Sequence, residues 1–182
     1  AESLARRGNR VKVLTADRGY DDASIRYARH EVTSAGVEIE RIGYASFGKA
    51  TLLHRVGAML SFNVQAGLRA LFQRDLGAIV FSTSPPFIGH TAVTAYSIRD
   101  VPAIFWAMDL NPDQLIALGK LRADSLVARM LRAVNRVILR RASVIIALDE
   151  WMAARLREQA GKPVDVRVIP PWSPDAALVA VP

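Results

Sequence analysis

The side chains of this 182-residue chain that can do chemistry fall in short groups, each directly after an apolar run. Asp17 and Tyr20 follow Val11–Thr15. Ser82, Thr83 and Ser84 follow Ala78–Phe81 and lead into Pro85 and Pro86. Asp109, Asn111 and Asp113 follow Pro102–Met108, and Asp149 and Glu150 follow Ser143–Leu148. Carboxylates, amides and hydroxyls of this kind hold sugar hydroxyls by hydrogen bonds, and a carboxylate among them can orient an acceptor or take its proton. The same residue types also favour turns and helix N-caps, which is the competing account of each one taken singly. Asp109 stands apart because it breaks a strongly apolar run where no helix immediately needs a cap. The segment Ser84-Pro85-Pro86-Phe87 before Gly89 and His90 opens a helix whose free N–H groups suit a phosphate or carboxylate. A proline-stiffened first turn explains it as well, and His90, one turn further in, reads as packed or solvated rather than catalytic.

The elements that must position these groups alternate along the chain. Val11–Thr15 predicts a short β-branched strand, and Val37–Ile42 alternates at period two like a half-covered one. A helical pattern runs from about Ala50 to Arg74, with Leu52, Leu53, Val56, Leu60, Val64, Leu68, Leu71 and Phe72 on one side. Further apolar strands are predicted at 78–82, 102–108, 143–148 and 166–169, and helices at 87–96, 123–140 and 150–159. Strand and helix in alternation, with strands apolar on both faces, predict an α/β fold: a Rossmann-like parallel sheet with helices on both faces. Ligands of such sheets bind at the carboxyl ends of the strands, which puts all four polar groups on one rim.

Bulk composition excludes other classes. A chain of this length suits one domain. There is no cysteine, and the three histidines make no metal-ligand spacing. No apolar run reaches the roughly 18 residues of a membrane span. Dinucleotide, P-loop and α/β-hydrolase glycine motifs are missing. The net charge of +7 points to an anionic partner. Nucleic acid fits poorly, since no binding motif and no interleaved aromatics accompany the arginines. The 123–140 helix carries Ala123, Leu126, Val127, Met130, Leu131, Val134, Val137 and Ile138 on one face and Arg129, Arg132, Arg136 and Arg140 largely on the other. Such a helix can lie on anionic lipid, or pack on the core with a solvated arginine face.

Five segments, in order, resemble bacterial GT-B glycosyltransferases of the glycosyltransferase family 4-like, polysaccharide-assembling group. The opening 1–15, AESLARRGNRVKVLT, is similar to A-x-x-L-a-x-x-G-H-x-V-x-V-l-T, with Asn9 in place of the histidine. Thr83-Ser84-Pro85-Pro86 with Gly89 resembles t-S-P-P-x-x-x-G. Asp109-Leu110-Asn111-Pro112-Asp113 resembles D-L-W-P-E, with Asn111 for Trp and Asp113 for Glu. Residues 141–152 resemble r-A-D-x-v-i-a-l-S-E-x-M, and Val168-Ile169-Pro170-Pro171-Trp172 resembles v-I-P-N-W.

The resemblance implies the N-terminal, acceptor-side domain of a retaining transferase of hexosyltransferase type, over residues 1–172, with 173–182 as a linker. It implies a nucleotide-sugar donor held mainly by a C-terminal domain, a glycan or lipid-linked acceptor, and neither cofactor nor metal. The first strand and its glycine-rich loop are expected before Ala1 and the donor domain after Pro182, so these residues alone are expected to be inactive. Asp109 is the expected catalytic residue, and Ser84, Pro85, Asn111, Asp113 and Glu150 are expected to bind substrate. Many relatives carry histidine where this chain has Met108, which argues against a histidine-dependent role. The expected location is cytoplasmic, peripheral at the inner face of the membrane. A non-catalytic flavodoxin-like module for an anionic ligand is the alternative reading.

Overall fold

A computed structural model of the chain describes residues 1–17, 24–43, 52–84 and 87–171. They build two units, residues 1–73 and residues 74–182.

The first unit holds helix α1 (Glu2–Arg6), strands β1 (Lys12–Ala16), β2 (His30–Val32) and β3 (Glu38–Ile42), and the long helix α2 (Leu52–Phe72). β1 and β3 are parallel, in register from Lys12 opposite Glu38 to Ala16 opposite Ile42. β2 runs antiparallel on the other edge of β3. Val37, Ile42, Ala58, Phe62 and Ala66 are the buried apolar residues here. Glu40 links the elements: Lys12 Nζ from β1 lies 2.7 Å from its carboxylate, and Arg69 of α2 donates to it from the other side. Hydrogen bonds first from Lys12 and then from Arg69 hold its carboxyl below the ordinary glutamate value.

The second unit alternates β4 (Ile79–Ser82), α3 (Ile88–Arg99), β5 (Ala103–Trp106), α4 (Asp113–Ala117), α5 (Leu126–Arg141), β6 (Val144–Ala147), α6 (Glu150–Ala160) and β7 (Val166–Val168). The four strands are all parallel and stand side by side in chain order. Alternation along them sends Phe81, Ala103, Phe105, Ile145, Ala147 and Val166 into the core. There they meet Val93 of α3, Leu139 of α5 and Leu156 of α6, and the Phe81 and Phe105 rings stack at 5.1 Å. Ser125 and Asp149 cap α5 and α6 by accepting the N–H groups of Ala128 and Met152. Gly161, in the left-handed region at φ 64°, ends α6.

The chain is therefore α/β and Rossmann-like. Two details differ from the sequence reading. The described strands make a three-stranded mixed sheet and a four-stranded parallel one. The hydrophobic periodicity did not announce β2, whose three residues are all exposed, or the single turn and a half of α4. In the second unit α5 packs against both α3 and α6.

The packed side of α5 also differs from the predicted one. Ala128, Ile138 and Leu139 are buried, whereas Leu126, Val127, Met130 and Val137 face solvent. Contact with both α3 and α6 fixes that rotation: Ala128 allows a close approach, and Asn135 Nδ2 donates to Gln159 Oε1 of α6 at 2.9 Å.

Gly89 marks the tightest point of this packing. A Cβ there would lie 2.6 Å from Ile138 Cδ1 and 3.1 Å from Phe81 Cε2. Gly89→Ala is expected to destabilise the protein by about 1–2 kcal/mol in urea unfolding, overpacking outweighing the gain in helix propensity. Adding Ile138→Val removes the obstructing methyl and is expected to recover part of that loss. Glu40 gives a pH signature. Its lowered carboxyl contributes stability above the ordinary glutamate value, and that contribution is lost as pH falls through its folded value. Glu40→Gln is therefore expected to lower Tm near neutrality, the gap from the parent protein closing in acid.

Candidate functional site

The carboxyl ends of β4, β5 and β6 form the rim that the sequence pointed to. β4 ends at Ser82, after which Thr83 Oγ1 donates to Asp109 Oδ2 at 3.1 Å. This bond ties the end of β4 to the segment following β5. Asp109 is half-buried, set between exposed Met108 and buried Leu110 and followed by a fully buried Pro112. Among the described residues its carboxylate enters no ion pair and caps no helix, which leaves Oδ1 free to accept a hydrogen bond from a ligand.

The other predicted residues divide. Ser84 is exposed, and its carbonyl accepts from Ser82 Oγ at 3.1 Å. Asn111 is exposed beside Asp109 in sequence. Glu150 is exposed in the first turn of α6, while its neighbour Asp149 accepts the Met152 N–H at 2.7 Å and is a cap. Pro85, like Pro86, Tyr20, Trp172 and the tail 173–182, lies outside the described residues.

Asp113 is occupied. Its Oδ2 accepts from Arg155 Nη2 at 2.7 Å and from Gln159 Nε2 at 3.0 Å, so it fastens α4 to α6. In the sequence Asp109 stands apart as the expected catalytic residue, with Asn111 and Asp113 as expected substrate-binding groups on the same rim. The structure separates them because Arg155 and Gln159, one turn apart on α6, converge on the third. That pair of partners is legible in the sequence only once α6 is placed.

His90 lies inside. Its Nδ1 is buried without a hydrogen bond, and the ring makes one to the Val134 backbone of α5. Burial pushes its pKa below the ordinary histidine value. It is a packed residue between α3 and α5, as its position in the helix suggested. In the first unit Asp17, just past β1, has one carboxylate oxygen buried with no partner. Among the described residues no three His, Asp or Glu side chains gather as a metal site.

The two aspartates should separate in experiment. Asp113→Ala removes a partly exposed pair and is expected to cost about 1 kcal/mol in urea unfolding. Asp109→Asn keeps an oxygen for Thr83 to donate to, and its unfolding midpoint is expected to stay close to the parent's. A larger loss for Asp109→Asn than for Asp113→Ala would reverse the assignment of roles.

No curated protein matches the chain. The model of the glycosyl transferase 4-like domain matches residues 1–172, which takes in both units and the whole rim of the parallel sheet. With an α/β fold whose polar groups collect at strand ends, and a family match across nearly its full length, this chain belongs to the glycosyl transferase 4-like domain family.

Proposed function

We propose that the chain forms the acceptor side of a retaining glycosyltransferase that moves a hexose from a nucleotide-sugar donor to a glycan or lipid-linked acceptor in cell-surface polysaccharide assembly. A second, donor-binding domain completes the cleft. The supporting observation is the state of Asp109: a half-buried carboxylate just past the end of a central strand, steadied by Thr83 and, among the described residues, in no ion pair. The neighbouring carboxylates of Asp113 and Asp149 are taken up by α6.

In this reading Asp109 Oδ1 accepts the hydrogen bond of the acceptor hydroxyl and turns its oxygen toward the anomeric carbon. The bond from that carbon to the donor phosphate breaks, and the new glycosidic bond forms on the same face. The acceptor's proton leaves with the departing nucleoside diphosphate. Thr83 acts through Asp109 as a positioning residue. Ser84, Asn111 and Glu150 line the rim for the remaining acceptor hydroxyls. No metal enters this scheme.

Asp109→Asn in the complete transferase is expected to lower kcat by roughly 10²–10³-fold, the range for loss of one positioned hydrogen-bonding group at the reacting centre, with native circular dichroism. Thr83→Val is expected to lower kcat less and to leave KM for the donor unchanged. Turnover is followed with a panel of nucleotide sugars and a lipid-linked acceptor. Undiminished transfer by Asp109→Asn would make Asp109 a turn residue only.

A further inference from the structure

The first unit holds a cavity of about 360 Å³, lined by Arg29, His30, Glu40, Arg41, Gly43 and Arg69 together with Gln65. Its volume falls at the lower end of ligand pockets, roughly 300–1,000 Å³. β1 and β3 are parallel and end level at Ala16 and Ile42, so Asp17 and Gly43 begin the carboxyl edge of this sheet. That edge is where open α/β sheets hold ligands.

Three guanidiniums and one carboxylate share the cavity wall, and the carboxylate is already neutralised. Glu40 has Lys12 on one oxygen at 2.7 Å and Arg69 Nε on the other. The cations are committed to different degrees. Arg41 is closed off: Nη2 donates to Glu31 at 2.7 Å, Nη1 to the Ala28 carbonyl at 2.8 Å, and the group lies 5.2 Å from the Tyr27 ring centre. Arg69 gives Nε to Glu40 and Nη1 to the Gln65 carbonyl, which leaves Nη2. Arg29 enters no ion pair among the described residues.

Arg29 is nevertheless held in place. The Arg41 N–H donates to its carbonyl at 2.7 Å, and its guanidinium lies over Gly43. A Cβ on Gly43 would stand 3.4 Å from Arg29 Nη2 and 3.7 Å from Asp17 Oδ2. Gln65 Nε2 donates to the Gly43 carbonyl at 2.9 Å and fixes this point against α2. An unpaired guanidinium and a carboxylate thus face the one residue here without a side chain, and they do not close on each other. A guanidinium fork fits two oxygens of a phosphate, and the missing Cβ leaves room for that group beside the backbone.

We propose that this cavity binds a phosphate monoester, with Arg29 and Arg69 Nη2 donating to the phosphate oxygens beside Gly43 and Asp17 accepting from a hydroxyl of the molecule that carries the phosphate. The site is argued from the first unit alone and not from the role given to Asp109, so neither reading falls with the other.

The test is titration of the isotope-labelled chain at constant ionic strength, read at the Arg29 Nε–H and Gly43 amide resonances. Glycerol 3-phosphate is expected to shift both saturably and to bind more tightly than methyl phosphate, which brings no hydroxyl for Asp17. Acetate is expected to leave both resonances in place. Arg29→Gln is expected to weaken binding about 10–100-fold, the worth of one charge-assisted hydrogen bond. Gly43→Ala keeps every charge, adds a methyl at ordinary contact distance from its neighbours, and is expected to weaken binding as well. Arg167→Gln is the control: it removes one surface charge, paired with Asp165 at 3.0 Å in the second unit, and is expected to leave binding unchanged. All three variants are expected to keep native circular dichroism.

Equal losses in Arg29→Gln and Arg167→Gln would make the attraction a diffuse effect of net charge and overturn the site. Acetate binding as tightly as glycerol 3-phosphate overturns it too, as do shifts that spare both Arg29 and Gly43. Equal affinity for methyl phosphate and glycerol 3-phosphate removes Asp17 from it.

Discussion

The second unit depends on how closely its helices can approach the parallel sheet. Ala103 and Ala147 on the strands, and Ala128, Ala153 and Ala160 on the helices, have no exposed surface at all. Small side chains at these points let α5 settle against both α3 and α6, and the larger Phe81, Phe105, Ile145 and Leu156 fill the remaining space. Gly89 is the limiting case, where even a methyl group meets Ile138. The tight packing sets the rotation of each helix. The rotation of α6 in turn aims Arg155 and Gln159 at Asp113, and that of α5 sends Leu126 and Met130 outward.

The rim follows from the same constraint. Parallel strands in register end together, so residues far apart in sequence become neighbours without any contact being arranged for them individually. Thr83 and Asp109 are 26 residues apart and share a hydrogen bond because β4 and β5 stop at the same level. Asp113 and Asp149 carry the same functional group and perform different work. One closes a clamp between helices, and the other satisfies a backbone N–H at a helix start. Chemical type thus nominated the rim residues, and local hydrogen bonding distributed their tasks.

How much of this could be read in advance varied with the physical signal. The runs at 79–81, 103–106 and 144–147 are uninterrupted apolar residues, a strong local signal that depends on nothing remote. The cap at Asp149 and the stop at Gly161 are equally local. β2 was not legible because His30, Glu31 and Val32 gain their strand character from pairing with β3 and bury nothing. The α5 face was misread because a stripe of Leu, Met and Val is ordinarily the packed side. Here Ala128, Leu139 and the polar Asn135–Gln159 pair outcompete it. Hydrophobicity ranks residues by transfer from water, whereas packing against two neighbours selects by size and shape. Of the rim, Asp109 was legible from its interruption of an apolar run, while the commitment of Asp113 was hidden in the placement of α6.

The order of the four strands bears on how the unit comes together. β4, β5, β6 and β7 lie side by side in the order in which they occur along the chain, joined through α3, through α4 and α5, and through α6. No strand waits for a partner from a distant part of the sequence. Each pairing, such as Ile79 with Ala103 or Ile145 with Val166, closes a loop no longer than one crossover, which bounds the closure entropy of each step even though parallel pairing as such is slow. During synthesis each new strand emerges beside a neighbour already in place, so the growing edge stays exposed only for the time needed to make the next crossover. The arrangement that brings Thr83 to Asp109 is also one in which every strand after β4 meets a neighbour that precedes it in the chain.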